Sequence, residues 1–402
     1  MTNTTTHPFF ARTDAVLQEL RDGGQHKSLQ TIEGPMGPTV KLAGYGECLC
    51  FCSNNYLGLA NHPEVVEAAH RGLRDYGAGT ASVRFICGTF TPHLKLEERI
   101  ANFLGVEASY TFVSCWNANE AIFPTLCESG DFVISDELNH ASIIDGIRLA
   151  TTIKKGLNKG VYKHNDLEDL RAKLTKARAE LPASAVLWVV TDGVFSMEGD
   201  LPDLPGLRTV CNEFDALLVV DDSHGTGVMG ETGRGTHEHF GMEGSSIDFF
   251  TGTLGKALGG AAGGFIAGPA NAIDMIVQRG RPTLFSNALP VPVACAADKA
   301  IEILMNEPQR VQRLRDNVTS ARAKLKDAGF EVIESPTAIC PIIVGDTAKA
   351  ISMSKRLLEL GVFVIGFGYP VVPEGEARLR VQISAAHEPE HIDGLVDALK
   401  QL

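Results

Sequence analysis

Between about residues 56 and 290, short apolar runs alternate with longer segments whose apolar residues return every third or fourth position. The short runs predict strands at 110–113, 131–134, 186–190, 217–220, 248–250 and 264–267. Leu96, Ile100, Phe103 and Leu104 carry helical spacing between them, and Gly105 stops it. Such alternation implies an α/β domain with a mainly parallel sheet. After Pro290 and Pro292 a long helical stretch runs to about Ala328, and runs at 331–333, 340–344, 363–365 and 379–383 predict strands of a smaller α+β domain. The first fifty residues read as an arm, with an amphipathic helix near 15–20 and a connection through Gly34, Pro35, Gly37 and Pro38. The expected organisation is an arm (1–55), a large domain (56–290) and a small C-terminal domain (291–402). A chain of 402 residues exceeds one core of ordinary size, which fits.

The segments just after the strands say more than the strands themselves. The run at 110–113 leads into Ser114-Cys115-Trp116-Asn117, and that at 131–134 into Ser135-Asp136-Glu137-Leu138-Asn139-His140. The run at 186–190 leads into Thr191-Asp192-Gly193-Val194-Phe195-Ser196, and that at 217–220 into Asp221-Asp222-Ser223-His224. After 248–250 comes Thr251-Gly252-Thr253-Leu254-Gly255-Lys256-Ala257-Leu258-Gly259-Gly260. Open α/β sheets bind ligands outside the carboxyl ends of their strands. Five successive strands that end in polar, titratable or glycine-rich segments therefore predict one site.

Composition narrows the function. With 44% hydrophobic and 21% charged residues the chain is an ordinary globular protein, and its formal net charge of −13 argues against nonspecific nucleic-acid binding. No apolar run is long enough for a membrane helix, and residues 1–10 lack the order of a signal peptide, so a cytoplasmic setting is expected. Nine cysteines without framework spacing fit reduced thiols. Cys48, Cys50 and Cys52 alternate as on one strand face; a metal is conceivable, but no zinc-like partner lies nearby and core packing is the simpler reading. His224, His237 and His239 lack companion ligands, so no metal is expected.

Lys256 stands among Leu254, Ala257 and Leu258, where a surface lysine would not. An amine in apolar surroundings loses its proton more readily and becomes a nucleophile or base suited to imine chemistry. The stretch is no nucleotide loop, because Ala257 replaces the Ser or Thr and the upstream glycine is absent. Pyridoxal phosphate is the aldehyde cofactor such a lysine would take. It needs a carboxylate at its ring nitrogen, and Asp221 at a strand end is the best candidate. Its phosphate needs amides at a helix start and a hydroxyl; the Ser114-Cys115-Trp116 turn and Thr253 offer them. A flat group must cover the ring, and His140 or Trp116 could supply it.

Several long motifs together carry a resemblance. Ser53-Asn54-Asn55-Tyr56-Leu57-Gly58-Leu59, Asn139-His140-Ala141-Ser142-Ile143-Ile144-Asp145-Gly146, Phe195-Ser196-Met197-Glu198-Gly199, Asp221-Asp222-Ser223-His224-Gly225 and Thr253-Leu254-Gly255-Lys256 resemble the α-oxoamine synthases over about residues 45–395. These are fold-type I pyridoxal-phosphate enzymes that condense an amino acid with an acyl-CoA thioester. Ala81-Ser82-Val83-Arg84-Phe85-Ile86-Cys87-Gly88-Thr89, Arg281-Pro282-Thr283-Leu284-Phe285-Ser286-Asn287 and Gly366-Phe367-Gly368-Tyr369-Pro370-Val371-Val372-Pro373 are similar to the glycine C-acetyltransferase branch, which implies glycine and acetyl-CoA as substrates. An 8-amino-7-oxononanoate synthase-like use of another amino acid and acyl-CoA is the alternative; an aminotransferase or aldolase is a further one.

By resemblance, Lys256 is the Schiff-base lysine and the base, Asp221 the pyridinium partner and His140 the stacking histidine. Ser196 and His224 contact the ring hydroxyl. Thr253 and the backbone of Cys115 and Trp116 form the phosphate cradle, which Ser286 and Asn287 complete from the other subunit of a homodimer. Arg380 grips the substrate carboxylate, and Asn54 touches the substrate. Trp116 stands where phenylalanine is usual, and 151–161 is longer and more basic than the usual connection.

Overall fold

The computed structural model describes residues 7–402; the first six residues of the arm and of the leader reading lie outside them. A seven-stranded sheet organises the larger part of the chain. Two short strands precede it, β1 (Thr39–Leu42) and β2 (Gly46–Cys50). Its members are β3 (Ala108–Phe112), β4 (Phe132–Asp136), β5 (Asn158–Tyr162), β6 (Leu187–Asp192), β7 (Ala216–Asp221), β8 (Phe249–Thr253) and β9 (Gly264–Gly268), in the order β3-β9-β8-β7-β6-β4-β5. The pairs β4–β5, β4–β6, β6–β7 and β7–β8 are parallel, while β9 runs against both β3 and β8. This is the expected mainly parallel α/β sheet. Six positions of β6 and five of the six in β7 are buried, as strands covered on both faces must be.

Two apolar layers cover the sheet. One holds Ile134, Val189, Leu218, Val220, Phe250 and Phe265; the other holds Phe112, Val133, Trp188, Val190, Val219 and Phe249. The same strands feed both by alternation, so the sheet is fixed in register at the point where its carboxyl ends must line up.

The C-terminal part builds a smaller sheet from β10 (Ile339–Gly345), β12 (Ile365–Phe367) and β13 (Ala377–Gln382), in the order β10-β13-β12. A two-residue strand, β11 (Val362–Phe363), pairs instead with β2, so the N-terminal segment is stitched to the C-terminal part. Cys48 and Cys50 of β2 are buried with Val40, Leu42 and Leu358, and Cys52 packs against them just beyond the strand.

Four expectations are corrected. The run at 331–333 is not a strand; only an isolated bridge joins Val332 to Ile342. The strand at 363–365 is two, because neighbouring residues pair with different sheets. The helical stretch before Ala328 is broken at Glu307 and Pro308 into Val291–Asn306 and Gln309–Asp327, since Pro308 cannot continue a helix. The basic segment 151–161 is not one loop. It ends the helix Ala141–Ile153 and then forms β5, an edge strand whose Lys159 suits an edge that must not pair further. Among the described residues no helix is long and apolar enough to cross a membrane.

Candidate active site

Three parallel strands aim the central groups. Asp192 and Asp221 end β6 and β7 side by side in register, and Thr251 of β8 is the partner of Asp221. At the end of β8 the chain turns at Thr253, whose hydroxyl donates to the Gly263 carbonyl at 3.2 Å and accepts from the Gly255 amide at 3.1 Å. That turn delivers Lys256, whose Nζ lies 2.7 Å from His224 Nε2. Burial holds the Lys256 amine below its usual range against the opposing pull of Asp221, and burial likewise holds His224 well below its ordinary value. A buried amine that gives up its proton easily is a nucleophile and a base.

Asp221 is 4% exposed and is held by hydrogen bonds to both carboxylate oxygens. It accepts from the Ser223 amide at 3.0 Å and from Asn119 Nδ2 at 2.7 Å, with Cys115 Sγ 3.7 Å away. The helix Cys115–Leu126 starts beside it, capped by Ser114, whose hydroxyl accepts from the Asn117 amide. The Cys115 and Trp116 amides are first-turn groups with no intrahelical acceptor, so this end suits an anion. Gly264 makes the approach possible: a Cβ there would stand 2.2 Å from Cys115 N and 2.4 Å from its Cα.

His140 caps the helix Ala141–Ile153. Its Nδ1 accepts from the Ser142 amide at 3.3 Å and faces the Ser142 hydroxyl at 2.7 Å. An amide can only donate, so Nδ1 carries the lone pair and the ring proton is on Nε2. Burial lowers the His140 pKa, which favours the neutral ring. Its backbone amide donates to Asp192 Oδ2 at 3.1 Å. Of the two flat groups, Trp116 is 41% exposed and meets His140 edge-on at 6.0 Å, with its Nε1 bound to Glu120.

The smaller sheet brings Arg380 to the same place. It is buried, and its Nε donates to the Ser196 carbonyl at 2.5 Å. Asn54 lies alongside, with its Oδ1 2.5 Å from Gln382 Nε2 on the same strand, two residues after Arg380. Lys256, His224, Asp221, His140, Arg380, Ser196, Asn54 and the Cys115 helix start thus converge. Ser286 and Asn287 do not join that hydrogen-bond network. Ser286 lines a cavity of about 560 Å³ with Asn117, Glu120, Lys154, Arg281 and Phe285.

Sequence reading assigned no role to Tyr56, Asn119, Ser142, Asp192 or Gln382. Tyr56 OH lies 2.9 Å from His224 Nδ1, and Asn119 Nδ2 bridges Asp221 and the Ser142 hydroxyl. A signal existed for two of them. Arg378, Arg380 and Gln382 alternate with Leu379 and Val381, which puts three polar groups on one strand face; Asn119 interrupts the apolar Ala118, Ala121 and Ile122.

The aminotransferase class I and II family model matches residues 46–399. A mitochondrial 2-amino-3-ketobutyrate coenzyme A ligase of Bos taurus is 44% identical over 387 residues, 96% of this chain and 90% of the relative. An 8-amino-7-oxononanoate synthase of Alkaliphilus oremlandii is 42% identical over 386 residues, 96% and 95% of the two chains. A solved structure of SPT with PLP internal aldimine superposes with a TM-score of 0.90 at 30% identity, covering 98% of this chain and 96% of that one.

Proposed function

This chain belongs to the aminotransferase class I and II family and, within it, to the pyridoxal-phosphate-dependent α-oxoamine synthases; on that footing we propose that it condenses glycine with acetyl-CoA to give 2-amino-3-oxobutanoate and CoA. The observation that carries the reading is the buried Lys256 amine, 2.7 Å from His224 at the strand-end edge where Asp221 also lies. The donor set fits pyridoxal phosphate. Lys256 would bond its aldehyde carbon, and Asp221 would face the ring nitrogen. His224 and Ser196 would bind the ring hydroxyl, with His140 against the ring face. Thr253 and the Cys115 and Trp116 amides would hold the phosphate, and Ser286 and Asn287 of a second copy would close the cradle. Bound there, the cofactor supplies an electron-withdrawing ring that carries the charge left at the amino acid's α-carbon.

The chain's own groups do the rest. Arg380, assisted by Asn54, holds the glycine carboxylate in a bidentate grip and presents one α-hydrogen to Lys256. Lys256, whose amine burial makes easier to deprotonate, removes that hydrogen. His140 offers its Nε2–H to the thioester carbonyl as charge builds on the oxygen. Because Arg380 keeps the carboxylate in place, its loss as carbon dioxide need not follow.

A homodimer is part of the proposal. Phe85, Ile86 and Phe285 are 60%, 69% and 75% exposed on two neighbouring segments, an apolar surface that a second copy would cover. So is the division into arm, large domain and small domain at residues 55 and 290. A cytoplasmic setting is proposed from the nine free thiols, although the bovine relative is mitochondrial by name.

The Alkaliphilus relative supports a second reading with a different acyl-CoA and amino acid. Absorbance spectroscopy tests the shared premise. The purified protein is expected to show a visible cofactor band that Lys256→Ala abolishes; an unchanged spectrum in that variant would sink it.

A further inference from the structure

Behind Lys256 runs a buried line of hydrogen bonds that the proposed reaction leaves unexplained. His224 Nε2 faces Lys256 Nζ at 2.7 Å, and on the other side of the ring Nδ1 faces Tyr56 OH at 2.9 Å. Tyr56 OH also meets Gln382 Nε2 at 3.1 Å and Asn54 Oδ1 at 3.4 Å, while Gln382 Nε2 lies 2.5 Å from that same Asn54 oxygen. Tyr56 is 1% exposed and Gln382 2% exposed, so the middle of this line is closed to water.

The direction of each bond can be read. An amide nitrogen only donates, so the Tyr56 oxygen accepts from Gln382. The phenol has one proton and two acceptors to choose between. The Asn54 oxygen lies at the outer limit of a hydrogen bond, 3.4 Å away, whereas His224 Nδ1 stands at an ordinary 2.9 Å. Tyr56 therefore donates to Nδ1, and the imidazole proton resides on Nε2.

We propose that Tyr56 is a positioning residue that fixes His224 in the Nε2–H tautomer, so that a hydrogen-bond donor faces Lys256 and, in the cofactor reading on which this rests, the ring hydroxyl beside it. A donor pointed at the lysine nitrogen stabilises its free-base form. The other tautomer would present a lone pair and stabilise the ammonium. Burial pulls Lys256 and His224 in the same direction, with Arg380 and His140 adding positive charge around His224 and Asp221 and Asp192 opposing it around Lys256. Tyr56 thus acts on the nucleophile through His224.

The test is Tyr56→Phe, which removes one buried oxygen and keeps the ring. Two readouts are taken. In cofactor-free protein labelled with nitrogen-15 histidine, with His224→Asn used to identify the signals, wild-type His224 is expected to show an unprotonated Nδ1 and a protonated Nε2, and Tyr56→Phe a mixture. In loaded protein, the pH midpoint of the cofactor's visible band is expected to rise by roughly half a unit or more in the variant, the size of one lost hydrogen bond. A proton on Nδ1 in the wild type, or a variant in which either readout is unmoved, overturns the proposal. Absence of a Lys256-dependent band in the wild type would instead overturn the cofactor reading itself.

Discussion

His164 offers a prediction whose size can be worked from the structure. It links two carboxylates: Nδ1 lies 3.0 Å from Asp136 at the end of β4, and Nε2 lies 2.8 Å from Asp200. Its ring also stands edge-on to Phe195 at 4.4 Å. Burial opposes the charged ring, but the hydrogen bonds to Asp136 and Asp200 outweigh it and lift its pKa from 6.5 to about 10. A rise of that size corresponds to roughly 5 kcal/mol of stability. Because the folded-state pKa is raised, the contribution is fully present below about pH 6.5 and is lost as pH climbs through about 10.

The bridge ties β4 to the 195–200 loop, whose Ser196 carbonyl receives Arg380 and whose Met197 carbonyl receives Arg378. His164→Gln should therefore lose most of that roughly 5 kcal/mol near pH 6 and progressively less towards pH 10. Urea unfolding of both proteins across this range measures the difference. The amino-acid KM of the variant should rise as the loop loosens. A wild-type-to-variant gap that stays flat between about pH 6 and 10 would refute the reasoning.

Two further substitutions probe the site's construction. Gly264→Ala drives a methyl into the Cys115 backbone, which cannot move aside as a flexible side chain could; overpacking of this kind costs about 1–3 kcal/mol and should weaken cofactor retention by roughly 10- to 100-fold, read from the visible band after dialysis. Normal retention would show that the helix start is not part of the cradle. Arg380→Lys keeps the charge but loses the planar fork, and should raise the glycine KM by roughly 10-fold or more with a smaller change in kcat, measured by steady-state kinetics.

Six strands of the main sheet were legible because each is a compact apolar run closed by polar or glycine-rich residues, and the candidate site was legible because those closures gather at one edge of the sheet. Lys256 and Asp221 stood out for the same reason: each is a charge at the end of a buried segment. β5 was missed because Asn158, Lys159 and Gly160 lack the apolar signature of a strand; its place at the edge is set by pairing with β4 alone. The split at 363–365 was equally hidden, since two sheets compete for adjacent residues and nothing local decides between them. Tyr56 and Gln382 are 326 positions apart and meet only through the fold, so their link to His224 was beyond any reading of spacing. Ser286 and Asn287 mark the opposite case: the motif is plain in the chain, while the role assigned to it belongs to a second copy.

The central question is which carbon nucleophile meets which thioester. The direct measurement is release of free CoA from the purified, cofactor-loaded protein with glycine, alanine or serine against acetyl-, succinyl-, pimeloyl- and palmitoyl-CoA. Release that requires glycine and is fastest with acetyl-CoA is the expected result. Faster turnover with another pair, or no amino-acid-dependent release of CoA at all, would contradict it.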